Sequence, residues 1–247
     1  MDELFLIGIG TGNPDHLTGQ GIAAIRGADL VLIPRKGTDK ADLADLRRDI
    51  CARVLGKDGG RIAEFDLPVR DDSGDYLSGV GDWHDAIARV WAATVASAHP
   101  APRRVALLVW GDPSLYDSSL RIAARLVPEP RVTVVPGITA LQALCAAHRI
   151  PLNDLGAPFL VTTGRRLRDG GWPDCADTLA VMLDGGCAFQ TLDPAGISIW
   201  WGAYLGMAQQ MTLSGPLAET GPRILAARAE ARARHGWIMD IYLMRRG

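Results

Sequence analysis

A strand-like run followed by a glycine-rich loop occupies residues 4–14, which read LFLIGIGTGNP. The first part, Leu4–Ile9, is a continuous apolar run, and such a run is typical of a strand that is buried on both faces. The alternating glycines Gly8, Gly10 and Gly12 require either a left-handed backbone or a close approach of another group. The segment therefore predicts a strand of a parallel sheet with a tight loop at its carboxyl end.

Short strand patterns and helical patterns alternate through the first half of the chain. Ala28–Ile33 predicts a strand that stops at Pro34, and Val105–Val109 and Val132–Val135 predict two more. Asp82 is predicted to be the N-cap of a helix. This alternation indicates an α/β domain, with a parallel sheet and helices on both of its faces.

The second half is richer in strands and has fewer helices between them. The strand candidates are Phe159–Thr162, Leu179–Leu183, Ile197–Trp200, Met211–Leu213 and Met239–Leu243. A helix is predicted over roughly residues 222–235, where the run Arg223–Arg234 is interpreted as a solvated face. Consecutive strands with few crossovers predict a mixed sheet. With the break at Pro136-Gly137, the chain is divided into domains 1–138 and 139–247.

Composition and charge argue against several classes of protein. The 247 residues contain 26 Lys and Arg against 28 Asp and Glu, and this net charge of −2 disfavours general nucleic-acid binding. The longest apolar run, Val105–Trp110, is far shorter than the ~20 residues that span a bilayer. The acidic start Met1-Asp2-Glu3 does not resemble a signal peptide. Four cysteines without a close pair predict reduced thiols in a cytoplasmic protein and no metal site.

Two more strand ends repeat the pattern of the first loop. Residues 110–116 read WGDPSLY, and residues 135–140 read VPGITA. Because ligands of open α/β sheets bind beyond the carboxyl ends of the strands, the three loops are expected to lie at one edge and to face one crevice. Each loop by itself is better interpreted as an ordinary turn than as a functional site, so the functional interpretation depends on their combination.

These segments, in this order, resemble the tetrapyrrole methylases, which are S-adenosylmethionine-dependent methyltransferases acting on uroporphyrinogen, precorrins and cobalt-precorrins. The matching segments are Ile7–Pro14 with Leu17-Thr18, Ala28–Val31, Gly111–Pro113, Val135–Ala140, Phe159–Thr162 and Trp201–Ala203. The resemblance implies two α/β domains, a parallel-sheet N-terminal domain and a mixed-sheet C-terminal domain, with S-adenosylmethionine in the cleft between them. It also implies a homodimer and a small tetrapyrrole substrate.

Four other segments resemble particular members of that family. They are Phe65–Arg70, Gly81–His84, Ala203–Gln210 and His235–Tyr242. The members in question methylate a precorrin at ring carbon 1 and release its acetyl group as acetate. The sequence is therefore expected to carry this activity, with S-adenosylhomocysteine as the second product.

Position by position, the resemblance also implies which residues contact the cofactor. They are Gly10, Thr11, Trp110, Gly111, Asp112, Leu115, Thr139, Ala140, Asp184, Gly202 and Ala203. Two of them depart from the family pattern. Thr11 stands where relatives usually have proline, and Asp184 falls roughly where relatives often place a methionine beside the cofactor.

Loss of an acetyl group requires a general base beside a water molecule. Asp112 and Tyr116 are the candidates, although Asp112 is equally well interpreted as a turn cap. Arg35, Arg165 and Arg166 are candidates for binding substrate carboxylates, with solvated basic positions as the alternative.

Three other functions are compatible with parts of the sequence. An NADP-dependent oxidoreductase would use the first loop and the pair Arg35-Lys36. Another methylase of the same fold would act on a different precorrin, on ribosomal RNA or on a modified histidine. A non-enzymatic sensor would bind S-adenosylmethionine without turnover.

Overall fold

The computed structural model describes residues 1–35, 41–56, 60–69 and 76–247. The predictions that involve Lys36 and Arg70 lie outside these residues. The chain forms two compact units. Unit 1 comprises Met1–Gly10 and Pro14–Ile138, and unit 2 comprises Thr11–Asn13 and Thr139–Gly247.

Unit 1 contains a five-stranded parallel sheet with the strand order β3-β2-β4-β1-β5. Its strands are β1 (Glu3–Gly8), β2 (Leu30–Arg35), β3 (Ile62–Asp66), β4 (Arg104–Val109) and β5 (Arg131–Val135). The carboxyl ends of all five strands share one edge, and β1 lies between β4 and β5 there. The predicted parallel sheet is confirmed.

Helices cover both faces of this sheet, as the alternation of strands and helices predicted. They are α1 (Gly19–Gly27), α2 (Ala41–Leu55), α3 (Tyr76–Ser97) and α4 (Ser119–Ala123). Leu6 of β1 belongs to one buried cluster with Trp91 of α3. Ile7, the next residue of β1, belongs to a second cluster with Ile25 of α1 and Ile50 of α2. Successive side chains of β1 are therefore buried on opposite faces, which is why its sequence is continuously apolar.

Two boundaries in unit 1 differ from the prediction. Asp82 is not an N-cap, because α3 begins at Tyr76 and contains Asp82 in its interior. The early part of α3 is anchored by a tertiary hydrogen bond, in which the indole of Trp83 donates to the carbonyl of Pro68 at 2.7 Å. The second difference is that β2 does not stop at Pro34 but continues through it to Arg35.

The alternation of hydrogen bonds explains how β2 accommodates a proline. The amide of Val31 donates to Arg61 and the carbonyl of Arg35 accepts from Leu67, so odd-numbered residues of β2 bond on the β3 side. Pro34 faces the β4 side, where the pairing with β4 ends at Leu32. No ladder bond is lost there, and the strand does not stop.

Unit 2 contains a five-stranded mixed sheet with the order β6-β7-β10-β8-β9. Its strands are β6 (Phe159–Thr163), β7 (Thr178–Met182), β8 (Ile197–Ala203), β9 (Met211–Pro216) and β10 (Asp240–Arg246). Only β6 and β7 are parallel among the paired strands. The predicted mixed sheet is confirmed.

The helices of unit 2 are α5 (Ala140–His148), α6 (Gly164–Gly170) and α7 (Leu217–His235). The last begins before the predicted position and keeps Pro222 inside it. Among the described residues of both units, no helix combines the length and apolar character needed to cross a membrane.

Candidate functional site

The three glycine loops of unit 1 pack directly against one another at the carboxyl edge of the sheet. Gly10 and Gly111 form an isolated antiparallel bridge, in which the Gly111 amide donates to the Gly10 carbonyl at 2.8 Å. Both residues have left-handed backbones, with φ of +77° and +65°. A Cβ atom on Gly137 would lie 2.1 Å from the Gly111 carbonyl oxygen and 2.7 Å from the carbonyl carbon of Gly8. The prediction that these loops share one edge is confirmed.

Asp112 links the second loop to the third. One carboxylate oxygen accepts from the Ser114 amide at 2.8 Å and from the Ser114 hydroxyl, and the other accepts from the Gly137 amide at 2.8 Å. Burial opposes ionisation of this carboxyl group, but these hydrogen bonds from Ser114 and Gly137 outweigh it and hold the Asp112 pKa below its usual value. The side chain is thus a buried, ionised connector between two loops.

The rest of the second loop is shaped by turns. The Leu115 amide donates to the Asp112 carbonyl at 3.2 Å. Tyr116 has a positive φ of 49° and a side-chain-bearing residue rarely adopts this backbone. Trp110, the first residue of this loop, is half-buried and packs against the apolar cluster that contains residues of α1 and α2. Tyr116 is 46% exposed. A strained, exposed aromatic residue in such a loop is consistent with a functional position.

The first residues of unit 2 contain a buried hydroxyl group without a partner. Thr11 is buried, and its Oγ1 atom makes no hydrogen bond within the described part of the chain. Buried polar groups in folded proteins are nearly always hydrogen-bonded. An unpaired hydroxyl in a glycine-rich loop is the kind of group that a bound ligand satisfies.

The helix after the third loop starts where the sequence predicted. Thr139 is the N-cap of α5 and Ala140 is its first residue. The Thr139 hydroxyl accepts from the Leu141 amide at 3.1 Å, and the Thr139 amide donates to the Gln142 side chain at 3.0 Å. This capping box satisfies the amides of Thr139 and Leu141 within the protein itself.

Asp184 points into unit 2 rather than outward. Its carboxylate accepts from the Tyr242 hydroxyl at 2.6 Å, from the Ala188 amide at 2.6 Å and from the Gly186 amide at 3.1 Å. Burial, and then the bond to this carboxylate, raises the pKa of Tyr242. The preceding residue, Leu183, has a φ of 53° and is 66% exposed. The turn after β7 therefore displays Leu183 and buries Asp184.

The turn after β7 is held by an ion pair that was not predicted from the sequence. Arg228 of α7 donates to both carboxylate oxygens of Asp240, at 2.7 and 3.1 Å, and to the Asp184 carbonyl at 3.0 Å. The Trp201 indole donates to the same Asp240 carboxylate at 2.8 Å. The interpretation of Arg223–Arg234 as a solvated face is therefore wrong at Arg228, because this residue lies on the side of α7 that faces the sheet. The one sign of this pair in the sequence is that Asp240 interrupts the apolar pattern of β10.

Gly202 and Ala203 are the last residues of β8 and both are buried. A Cβ on Gly202 would lie 2.6 Å from Leu205 Cδ2 and 3.0 Å from Leu144 Cδ1. The space beside Gly202 is therefore filled by apolar side chains of unit 2.

The three candidate arginines are exposed. Arg35 forms a two-pronged pair with Asp66, with distances of 3.0 and 2.8 Å. Arg165 and Arg166 lie in the first turn of α6, where the Arg166 amide donates to Thr163 Oγ1 at 3.4 Å. The NADP-dependent oxidoreductase would need Arg35 as a free cation, but Arg35 is already paired with Asp66.

Comparison with known proteins identifies the family. Residues 3–221 match the model of the tetrapyrrole (corrin/porphyrin) methylases, and the chain belongs to that family. The protein is accordingly a methyltransferase whose cofactor is S-adenosylmethionine.

Individual relatives are similar over the whole chain. A precorrin-6A synthase [deacetylating] from Sinorhizobium sp is 49% identical, and the match covers 100% of this chain and 96% of that protein. The crystal structure of a cobalamin synthesis related protein (CobF) from Corynebacterium diphtheriae is 36% identical, with a TM-score of 0.85 and 100% and 99% coverage of the two chains. A uroporphyrin-III C-methyl transferase from Thermus thermophilus, complexed with S-adenyl homocysteine, is 21% identical over 98% and 96% of the chains, with a TM-score of 0.59, and shares the fold.

Proposed function

We propose that the protein transfers a methyl group from S-adenosylmethionine to ring carbon 1 of precorrin-5, with loss of the acetyl group as acetate, and so forms precorrin-6A in aerobic cobalamin synthesis. The observation that carries the proposal is the 49% identity, over the full chain, to a precorrin-6A synthase [deacetylating]. The CobF structure, which is 36% identical over the full chain, supports the same assignment.

The cofactor residues are proposed separately for each unit. In unit 1 they are Gly10, Trp110, Gly111, Asp112 and Leu115, and in unit 2 they are Thr11, Thr139, Ala140, Asp184, Gly202 and Ala203. The unpaired hydroxyl of Thr11 fits a ligand with polar groups, because its buried oxygen needs a partner. When bound, the cofactor supplies an electrophilic methyl group on a sulfonium.

The direction of the Asp184 side chain refines this assignment. Its carboxylate is fully engaged within unit 2, whereas the neighbouring Leu183 is exposed. We therefore assign the apolar contact with the cofactor, which relatives make with methionine, to Leu183. Asp184 then acts as the residue that fixes the turn presenting Leu183.

The first chemical step is the attack of water on the acetyl carbonyl carbon. A base accepts the proton of that water, the bond between the acetyl group and the ring breaks, and acetate leaves. The electron pair left on the ring carbon then takes the methyl group. Asp112 is poorly suited to act as this base, because both of its oxygens accept hydrogen bonds and its pKa is lowered. We assign Asp112 to positioning of the loops and retain Tyr116 as the candidate for proton transfer.

Substrate carboxylates are assigned to Arg165 and Arg166, which are exposed at the start of α6. Arg35 is a weaker candidate, because a carboxylate of the substrate would have to displace Asp66.

The assembly and location are also part of the proposal. A homodimer is expected from the resemblance to the family, and light scattering would then give twice the chain mass of 26.4 kDa. A cytoplasmic location agrees with the four cysteines, which are free thiols.

The first test is calorimetric titration of the purified protein with S-adenosylhomocysteine. Binding of one molecule per chain supports the methyltransferase site, and turnover of precorrin-5 with one acetate released per methyl group transferred tests the substrate. Binding of NADPH in place of S-adenosylhomocysteine would contradict the proposal. A second candidate function is that of a methylase that acts on a different precorrin. The 32% identity to a precorrin-2 C(20)-methyltransferase over 66% of the chain supports it. Turnover of another precorrin without acetate release would favour this second candidate.

A further inference from the structure

Unit 1 contains a buried arginine that none of the functions above uses. Arg47 lies in the second turn of α2 and is only 8% exposed. Long side chains on a helix point back toward its N-terminus. Because α2 follows β2 in a parallel sheet, its N-terminal end lies at the carboxyl edge, where the glycine loops also lie. The guanidinium group is therefore directed to the edge of the sheet that binds ligands in α/β folds.

Two backbone carbonyls hold the guanidinium group in place. Nε donates to the Leu108 carbonyl and Nη1 donates to the Leu43 carbonyl, both at 3.0 Å. The Leu108 carbonyl is available because β2 pairs with β4 only as far as Leu107. Val109 accepts from Ile9 on the β1 side, so Leu108 faces the opposite side, toward β2. Arg47 thus occupies the gap that opens between β2 and β4, next to the second glycine loop.

The charge of Arg47 lacks an ion-pair partner among the described residues. Within the described ranges, its side-chain hydrogen bonds go to these two carbonyls. Burial lowers the Arg47 pKa to about 10, and the more distant carboxylate of Asp117 opposes this shift, so the group stays charged at neutral pH. A buried cation without an adjacent anion is costly. The remaining nitrogen, Nη2, makes no hydrogen bond to a described residue.

We propose that Arg47 is a carboxylate-binding residue at the carboxyl edge of the unit 1 sheet. The inference rests on the proposed function, because the tetrapyrrole substrate and the amino-acid part of S-adenosylmethionine both carry carboxylates. Nε and Nη1 are anchored, so the end of the guanidinium group, with Nη2 and the second hydrogen of Nη1, is free to hold a carboxylate with two parallel hydrogen bonds. The backbone anchors fix its direction before the ligand arrives.

The test compares Arg47→Gln with Arg48→Gln. Arg48 is the next residue of the same helix, has a half-buried side chain, and forms ion pairs with Glu64 and Asp45, so its substitution removes the same charge near the surface. Three probes are titrated by calorimetry or fluorescence. S-adenosylhomocysteine carries an amino-acid carboxylate, 5′-methylthioadenosine lacks it, and uroporphyrin III is a stable porphyrin with carboxylates around its ring.

We expect Arg47→Gln to weaken the binding of a carboxylate probe by roughly ten- to a hundred-fold, the range of a hydrogen bond to a charged group. Weakened binding of S-adenosylhomocysteine with unchanged binding of 5′-methylthioadenosine identifies the cofactor carboxylate. Weakened binding of uroporphyrin III alone identifies a substrate carboxylate. Arg48→Gln should bind all probes as the wild type does.

A folded Arg47→Gln protein that binds each carboxylate probe as tightly as the wild type overturns the inference and leaves Arg47 a purely structural residue. If that variant does not fold, Arg47→Lys retains the charge while removing the planar fork, and it is expected to show the same selective loss. A wild-type protein that binds none of the probes would instead contradict the proposed function, so the two failures are distinguishable.

Discussion

Substitution of Gly137 by alanine is the most direct test of how the three loops meet. The added Cβ would lie 2.1 Å from the Gly111 carbonyl oxygen, 2.7 Å from the Gly8 carbonyl carbon and 2.8 Å from Gly8 Cα. All three neighbours are backbone atoms, so no side-chain rotation relieves the overlap, and the loops must separate.

The expected loss of stability follows from these contacts. Overpacking of a well-filled site costs about 1–3 kcal/mol, and contacts with three backbone atoms place Gly137→Ala at the upper end. Because a change of 1 kcal/mol shifts Tm by about 2–4 °C in a domain of this size, we expect Tm to fall by roughly 6–12 °C. The affinity for S-adenosylhomocysteine should fall as well, because the Gly111 backbone is displaced.

Thermal unfolding followed by circular dichroism, together with calorimetric titration, measures both effects. Gly81→Ala is the matched control, since Gly81 lies inside α3 and a Cβ there meets nothing within 4 Å. Removal of a helical glycine should raise stability by about 0.5–1 kcal/mol. A Gly137→Ala protein with the Tm and the affinity of the wild type would refute the packing of the loops described above.

Three further predictions concern single side chains. Asp112→Asn should weaken the binding of S-adenosylhomocysteine as well as single-turnover rates, because the amide cannot accept from both Ser114 and Gly137; loss of turnover with unchanged cofactor binding would make Asp112 the base. For His84, burial and then the nearby arginines lower the pKa, so the folded protein resists a proton that the unfolded chain takes up below pH ~6.5. The neutral His84 therefore contributes its full stabilisation above that pH, and this contribution is lost on acidification. His84→Leu should make Tm depend less on pH between pH 7 and 5. A pH dependence of Tm equal to that of the wild type would contradict this. Arg228→Met should lower the free energy of unfolding, measured by chemical denaturation, by about 3–5 kcal/mol, because it leaves the Asp240 carboxylate buried without its ion-pair partner. Arg234→Met, at an exposed position, should lower it little. Equal losses for the two variants would show that the buried Arg228 pair contributes no more to stability than an exposed arginine.

The pattern of strands and loops was readable because it depends on local sequence. Continuous apolar runs ended by glycines predicted strands buried on both faces, and parallel strands necessarily bring their carboxyl ends to one edge. The meeting of Gly8, Gly111 and Gly137 was therefore foreseeable from spacing and order. The start of α3 was not, because Gly79 and Gly81 weaken the helical pattern and the bond from Trp83 to Pro68 is tertiary.

The roles of the charged residues were the least predictable. The Asp112 carboxylate bonds to an amide 25 residues away, and the Asp184 carboxylate to a hydroxyl 58 residues away. Arg47 looks like its neighbour Arg48 in the sequence, yet Arg47 is buried against β4 whereas the side chain of Arg48 is 41% exposed. Residue type and helical position do not distinguish them, because burial depends on which face of α2 meets the sheet.

The amino-acid sequence by itself determined the α/β architecture, the two sheets, the glycine loops and the family, since each follows from local patterns of apolar residues and from motifs in a fixed order. Only the tertiary structure decided which polar groups are already paired, such as Asp112, Asp184 and Arg228, and which have no hydrogen-bond partner in the described part of the chain, such as Thr11 Oγ1 and Arg47 Nη2. The reason is physical: whether a buried polar group is satisfied depends on partners that are distant in the chain and adjacent only after folding.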